Sequence, residues 1–536
     1  MGYTPSKLSQ SGRLIMIYND EITTLADIPR VQGCHFQDAK ALVFKEQALT
    51  YLELDKQSNR VAHALLAQGV KATSRVAILA KDSLKSYEIL FACNKINAVL
   101  VPINWRLAAV EISYILTDAN VKVLFVGWQF QKLVATIRDQ LDAINTFIAL
   151  EKAEENWLNY DRWYQDHSDL PPHIPISPQD VAVQMYTSGT TGRPKGVQLA
   201  HNSFFAIAKE FVKQGKTWIG WNSTDKSLLV LPFFHIGALW WAIRGLASGA
   251  ENILLETFVG TEVLQAIEKY RVTKTCMVPS MIQVLLTESK CKQTDFSSLG
   301  YIVYGGSPIA ESLLREAMVT FSCNFVQIYG MTETGNCAVS LPADAHTSAR
   351  LKSAGKPFPG VSVAIMNSSG KTLAVGEVGE VCIKSPAQMI GYWKLPQATA
   401  QTLVDGWIHT GDAGYFDEEG YLYIFDRVKD MICYAGENVY PAEVENVLYE
   451  HPSVADVAVI GVPDEDWGET IKAIVVLKPG IKATAFDIIN FVRGKLADFK
   501  LPRSVEFTES LPRTPSGKLQ KSKLRDKYWQ GYERKV

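Results

Sequence analysis

Between residues 37 and 130 the chain alternates short apolar runs with helical patterns, and this alternation restricts the fold more than any other feature. Apart from Arg75 and Lys122, the runs Arg75–Leu79, Ala98–Pro102 and Val121–Val126 are apolar and rich in valine and leucine. Runs without a polar face suit strands buried on both sides. Ahead of them, "LDKQSNRVAHALLAQG" spaces its apolar residues as a helix does and ends at Gly69, a residue suited to a C-cap. Strand–helix alternation predicts α/β layers built on parallel sheet. At 536 residues the chain exceeds what one core supports, so several lobes are expected.

Further along, "VAVQMY" reads as a buried strand that runs directly into "TSGTTGRPKG", and "GVQLA" as a second strand. Hydroxyl side chains and glycine backbone can form a nest of N–H donors around phosphate oxygens, with Lys195 adding a mobile charge. The stretch is not G-x-x-x-x-G-K-[ST], because Gly196 and Val197 follow Lys195. A helix over "NSFFAIAKEFV" is expected next, with Asn202 or Ser203 as N-cap. "IVYGGSPIAESLLREAMVTF" reads as strand, glycine turn and helix, with Pro308 near the first turn, and "NFVQIYGMTETGN" as a strand entering a polar loop.

The turns "GEVGEV" and "GDAGYFDEEG" suit small β elements, and a boundary is expected within "YLYIFDRVKDMICYAGENVYPAEVE". Helix, strand, strand, helix and a basic tail follow it. The expected fold is α/β: a large multi-lobed N-terminal domain of layered sheets and helices (residues 1–426) and a small mobile α/β C-terminal domain (residues 427–536).

Bulk properties exclude several functions. A net charge of −2 speaks against a strongly cationic nucleic-acid binder. The eight cysteines are scattered without a CxxC pair, as in a reduced cytoplasmic protein. The start "MGYTPSKLSQSGR" lacks the apolar core of a signal peptide. "LLVLPFFHIGALWWAIRGLASG" is interrupted by Pro232, His235 and Arg244, which favours buried core or a ligand pocket over a membrane span.

The motif "TSGTTGxPKG" after a strand resembles the AMP-forming adenylate superfamily, which includes acyl-CoA synthetases, aryl-CoA ligases, luciferases and peptide-synthetase adenylation domains. The likeness runs in order through "TYLELDKQSNRVAHAL", "YGGSP", "QIYGMTET", "DGWIHTGDAGYFDEEGYLYIFDRVKD" and "PRTPSGKLQK". It implies a phosphate loop of Thr187, Ser188, Gly189, Thr190, Thr191, Gly192 and Lys195, and an adenine-side turn of Gly305, Gly306 and Ser307. Tyr329 and Gly330 would flank adenine, Thr332 would bond the α-phosphate, and Glu333 would hold Mg2+, a cation that prefers hard oxygen ligands. Asp412 and Arg427 would hold the ribose, and Lys429 would be the hinge. Lys518 would deliver its ammonium where charge gathers during attack on phosphorus, and His235 would stand beside the acyl carboxylate. Ala435 and Gly436, where relatives often carry two glycines, would let the pantetheine arm pass.

The resemblance implies that a carboxylic acid and MgATP give an acyl-adenylate and pyrophosphate, and that coenzyme A then accepts the acyl group. "HIGALWW" carries no acidic residue to pair a substrate ammonium, so a medium- or long-chain fatty acid is favoured over an amino acid, with an aryl acid as alternative. Trp240 and Trp241 are expected to bound the acyl pocket. At least one should face it; read as neighbours on a strand they would point to opposite faces, so the two would not line it equally. An acyl-carrier protein as acceptor, a luciferase-like oxygenase and a non-catalytic binding module are the rival classes. A homodimer and a weak peripheral membrane contact stay open.

Overall fold

A computed structural model describes residues 21–154, 157–187, 193–427, 430–434, 437–464, 468–513 and 519–530. Two large sheets dominate. The first has the order Gly391–Tyr392, Lys195–Ala200, Val181–Thr187, Val99–Pro102, Arg75–Leu79, Val121–Val126, Thr146–Ala149, Leu158–Asn159. From Val181–Thr187 onward every pairing in it is parallel, and Lys195–Ala200 returns antiparallel to Val181–Thr187. The second sheet runs Lys356–Pro357, Val339–Leu341, Asn324–Tyr329, Tyr301–Gly305, Lys274–Met277, Lys226–Leu229, Glu251–Leu254, Lys40–Phe44, Gln47–Thr50, with a parallel centre.

Alternation along each strand explains why both faces are covered. Val76, Ile78, Leu100, Val123 and Phe125 point into one core, and Ala77, Leu79, Val101, Leu124 and Val126 into another. In the second sheet Leu229, Leu254, Cys276 and Val303 join the first core, whereas Leu228, Ile253, Met277 and Ile302 face a third. The shared core also takes in the helices Leu84–Lys95 and Ile236–Ala247, so these two pack between the sheets. The helices Gly260–Tyr270, Pro279–Thr287 and Glu311–Phe321 cover the outer face of the second sheet. With the helices Ala109–Asp118 and Gln131–Ile137 on the outer face of the first sheet, the product is a five-layered α/β body.

Beyond it lie an antiparallel sheet, Ser362–Met366, Gly379–Lys384, Trp407–Phe416 and Leu403–Val404, with Leu422–Arg427 paired to Trp407–Phe416. A last sheet centres on Val454–Asp464 and Gly468–Leu477. It has its own hydrophobic core of residues 432–505, closed by the helices Pro441–Tyr449 and Ala485–Val492. The chain is thus mixed α/β, with a large N-terminal part and a small C-terminal one.

Three local expectations are corrected. "ALWWAI" is helix, not strand, within Ile236–Ala247. The helix after the glycine loop is Ala206–Lys213 with Phe205 at its N-cap, because His201–Phe204 first forms a 3-10 turn. Pro308 precedes the helix Glu311–Phe321, whose N-cap is Ala310. Gly69 does follow the helix Tyr51–Ala67 with φ +77°, the left-handed stop expected of it. No helix among the described residues is long and apolar enough to cross a membrane.

Candidate active site

The C-terminal ends of the parallel strands deliver the motif residues, as open α/β sheets commonly do. Thr187 ends its strand opposite Lys195, its cross-strand partner. Ser188, Gly189, Thr190, Thr191 and Gly192 lie outside the described residues. So do Lys429, Ala435, Gly436 and Lys518.

Gly305 and Ile328 are in register on adjacent strands, so the turn Gly305–Ser307 and the segment Tyr329–Gly330 leave the sheet side by side. Both glycines are demanded by close backbone. A Cβ on Gly305 would stand 2.3 Å from the Ile328 carbonyl oxygen, and one on Gly330 1.9 Å from that of Asn336. The chain then tightens into the 3-10 turn Thr332–Thr334, where the Thr334 hydroxyl accepts from Met331 N–H at 2.9 Å. That turn buries Glu333, 5% exposed, and leaves Thr332 partly exposed.

Tyr392, which sequence reasoning missed, joins two of the motifs. Its hydroxyl donates to Glu333 Oε1 at 2.8 Å, and Lys195 Nζ lies 5.0 Å from its ring centroid. Its two-residue strand pairs with Lys195–Ala200. Nothing local in "IGYWKL" advertises this position. A buried, hydrogen-bonded carboxylate fits Mg2+, and Glu333 is the residue that would hold it.

Asp412 sits on the strand Trp407–Phe416 opposite Arg427 in backbone register. Its Oδ2 accepts from the Tyr329 hydroxyl at 2.7 Å, so two motif residues touch across 83 residues of sequence. The turn before it is pinned by Glu380, whose Oε1 accepts from Gly411 N–H at 2.9 Å and whose Oε2 lies 2.8 Å from His409 Nδ1. Sequence reading missed both Glu380 and this role for His409.

His235 is the N-cap of the helix Ile236–Ala247. A Cβ on Gly237 in the first turn would lie 3.8 Å from Asn336 Oδ1, which sets this helix end against the Gly330–Asn336 turn. The His235 Nε2 is buried and meets no partner among the described residues. Burial, with the Arg106 charge nearby, pushes its pKa down to about 4, so the ring is neutral at pH 7. The loop before it is held by Asp82, both of whose oxygens lie 3.1 Å from Phe233 N. Burial lifts the Asp82 carboxyl to about 7, although that bond and Arg106 pull it down.

Beyond His235 an apolar groove follows the same helix. Its walls include Ile207, Phe211, Trp218, Trp221, Trp240 and Phe358. Trp241, about 100° round the helix, points instead to a smaller space beside Leu229 and Cys276. One tryptophan of the pair therefore lines the groove, by helical rather than strand geometry.

The AMP-binding enzyme family model matches residues 30–393, and that of the AMP-binding enzyme C-terminal domain matches residues 443–518. The fatty acid–[acyl-carrier-protein] ligase ScoC of Streptomyces coeruleorubidus is 45% identical, over 97% of this chain and 99% of its own. The indoleacetate–CoA ligase of Aromatoleum aromaticum is 37% identical, over 90% and 94%. Among solved structures, the anthranilate CoA ligase AuaEII in complex with anthranoyl-AMP superposes with a TM-score of 0.88 at 27% identity, covering 94% of this chain and 97% of that one. By family match and by fold alike, the chain belongs to the AMP-binding enzymes, the adenylate-forming ligases of acyl and aryl acids.

Proposed function

We propose that the chain activates a medium- or long-chain fatty acid with MgATP and passes the acyl group to the thiol of coenzyme A. A carboxylate oxygen attacks the α-phosphorus, the bond from that phosphorus to the bridging oxygen breaks, and pyrophosphate leaves. The thiol sulfur then attacks the acyl carbon, its proton passes to solvent, and AMP departs. The observation that carries the fatty-acid reading is the groove beside the helix Ile236–Ala247, walled by aromatic and aliphatic side chains and lined by no acidic residue. An ammonium-bearing substrate would find no counter-charge there.

In this reading Tyr329 stacks on adenine, Asp412 and Arg427 take the ribose hydroxyls, and Thr332 bonds the α-phosphate. Gly305, Gly306, Ser307 and Gly330 give the nucleotide room to lie against backbone. The loop Thr187–Gly192 and Lys195 hold the outer phosphates. Mg2+ on Glu333 would supply charge neutralisation as pyrophosphate forms. Neutral His235 offers the carboxylate a hydrogen bond without fixing it as an ion pair, which leaves the oxygen nucleophilic. Lys518 stabilises the charge on the bridging oxygen. Residues 427–536 turn about Lys429 between the half-reactions, bringing the Ala435–Gly436 turn to the thiol path; their separate hydrophobic core supports movement as a unit.

A carrier-protein thiol is the second reading, favoured by the relative named a fatty acid–[acyl-carrier-protein] ligase at 45% identity. The test is thioester formation from enzyme-bound acyl-AMP, with coenzyme A and holo-acyl-carrier protein offered in parallel. Faster transfer to coenzyme A supports the first reading, and faster transfer to the protein thiol replaces it with the second.

A further inference from the structure

The strand pairing that leads into Asp412 also gathers three metal-ligating atoms. Where Gly379–Lys384 pairs with Trp407–Phe416, Glu380 stands opposite Ala413 but Cys382 stands opposite His409. Two steps along one strand thus match four along the other, and such a bulge re-aims the side chains around it. Glu380 Oε2, Cys382 Sγ and His409 Nδ1 all lie within 4.8 Å of one another. His409 Nδ1 is 2.8 Å from Glu380 Oε2 and 3.5 Å from Cys382 Sγ. Among the described residues, no other trio of His, Cys, Asp or Glu side chains converges in this way.

The three atoms differ in kind: one sulfur, one imidazole nitrogen and one carboxylate oxygen. That set suits zinc and its neighbours in the transition series, whereas Mg2+ and Ca2+ take oxygen ligands. It also balances charge, because a carboxylate and a thiolate together cancel a divalent cation while the imidazole binds neutral. Burial, with Glu380 nearby, pushes the Cys382 thiol up to about 12, so an incoming cation displaces its proton to solvent as the metal–sulfur bond forms. His409 binds through Nδ1 with its one proton on Nε2. Four-coordinate zinc holds its donors about 3.3–3.8 Å apart, so the sulfur and nitrogen are already spaced for it and the glutamate withdraws by about half an ångström. Ala364, Met366 and Trp407 pack beside the sulfur. Glu380 and His409 are 27% and 24% exposed, which gives an ion a way in and a water room to complete the shell.

We propose that Glu380, Cys382 and His409 form a binding site for a divalent transition-metal ion of the zinc class, with water as the fourth ligand. It is separate from Glu333, where Mg2+ is placed above. Glu380 Oε1 also accepts from Gly411 N–H at 2.9 Å, so the ion staples the two strands at the turn that precedes Asp412.

The experiment titrates Co2+, a coloured stand-in for Zn2+, into the metal-free full chain carrying Cys34→Ser, which removes the exposed thiol beside His35 as a competing ligand. One equivalent per chain is expected, with a sulfur-to-cobalt charge-transfer band that Zn2+ abolishes by displacement and excess Mg2+ leaves in place. Cys382→Ser should eliminate the band. His409→Gln and Glu380→Gln should each weaken Co2+ binding by about tenfold or more, since even groups that only support metal ligands are worth about 10–100-fold. X-ray absorption of the zinc-loaded Cys34→Ser chain tests the site with all three ligands intact: one sulfur at about 2.3 Å and nitrogen or oxygen at about 2.0–2.2 Å are expected. A shell without sulfur, the absence of a thiolate band, or a band that survives Cys382→Ser overturns the proposal. So does Co2+ affinity that both His409→Gln and Glu380→Gln leave unchanged; the trio is then a hydrogen-bonded strut of the turn and no more.

Discussion

Replacing Tyr329 by phenylalanine isolates one bond at the centre of the proposed nucleotide site. The ring remains to stack, and only the hydroxyl that donates to Asp412 Oδ2 at 2.7 Å is removed. Hydrogen bonds to charged groups contribute about 1.5–3 kcal/mol net, and the partial exposure of both side chains puts this one at the lower end. About 1.5 kcal/mol corresponds to roughly tenfold in affinity. Tyr329→Phe is therefore expected to raise the Kd for MgATP, measured by titration calorimetry, about tenfold through misorientation of the Asp412 carboxylate, proposed above to bind ribose. The decisive version is a cycle with Asp412→Asn. If the hydroxyl acts by orienting Asp412, its removal costs less than about 0.5 kcal/mol once the carboxylate is gone. Equal losses in both backgrounds would refute the coupling and leave the tyrosine hydroxyl with a separate role.

Gly330→Ala sets a Cβ 1.9 Å from the Asn336 carbonyl oxygen, an overlap with backbone that no rotamer relieves. A lowered unfolding midpoint, with about 1–3 kcal/mol lost, and weaker ATP binding are expected; an unchanged midpoint would show that the turn yields freely. Asp82 has a folded pKa of about 7 against an ordinary carboxyl near 4, so its contribution to stability is present at low pH and lost as pH rises towards 7. Against Asp82→Asn, which cannot ionise, the wild-type chain should lose about 3 kcal/mol between pH 5 and pH 8, read from urea midpoints; parallel pH curves would contradict this. Lys518→Ala should lower adenylate formation about a hundred- to a thousandfold while sparing thioester formation from supplied acyl-adenylate. Activity within about threefold of wild type would remove Lys518 from the chemistry.

Much of the fold was legible because burial on two faces leaves a plain mark on a strand. Arg75–Leu79 and Val121–Val126 are apolar at every position facing either core, and the structure begins and ends those strands at the same residues. The stretch around Trp240 carried no such mark. Surrounded by helices and sheet, a fully buried helix loses its polar face, and ten of the twelve residues of Ile236–Ala247 are buried. Periodicity then cannot separate helix from strand. The motif order made Tyr329, Glu333 and Asp412 legible as a set. Their contacts were not, because Tyr392 and Glu380 reach them by sheet pairing from distant segments, and register is a tertiary property.

The account stands or falls on acid-dependent exchange of pyrophosphate into ATP. The full chain with MgATP and labelled pyrophosphate should incorporate label only when a carboxylic acid is added, with medium- and long-chain fatty acids exceeding amino acids by about tenfold or more, as expected of a groove that cannot pair an ammonium. Incorporation that is the same with and without acid, or that occurs with amino acids alone, would contradict it.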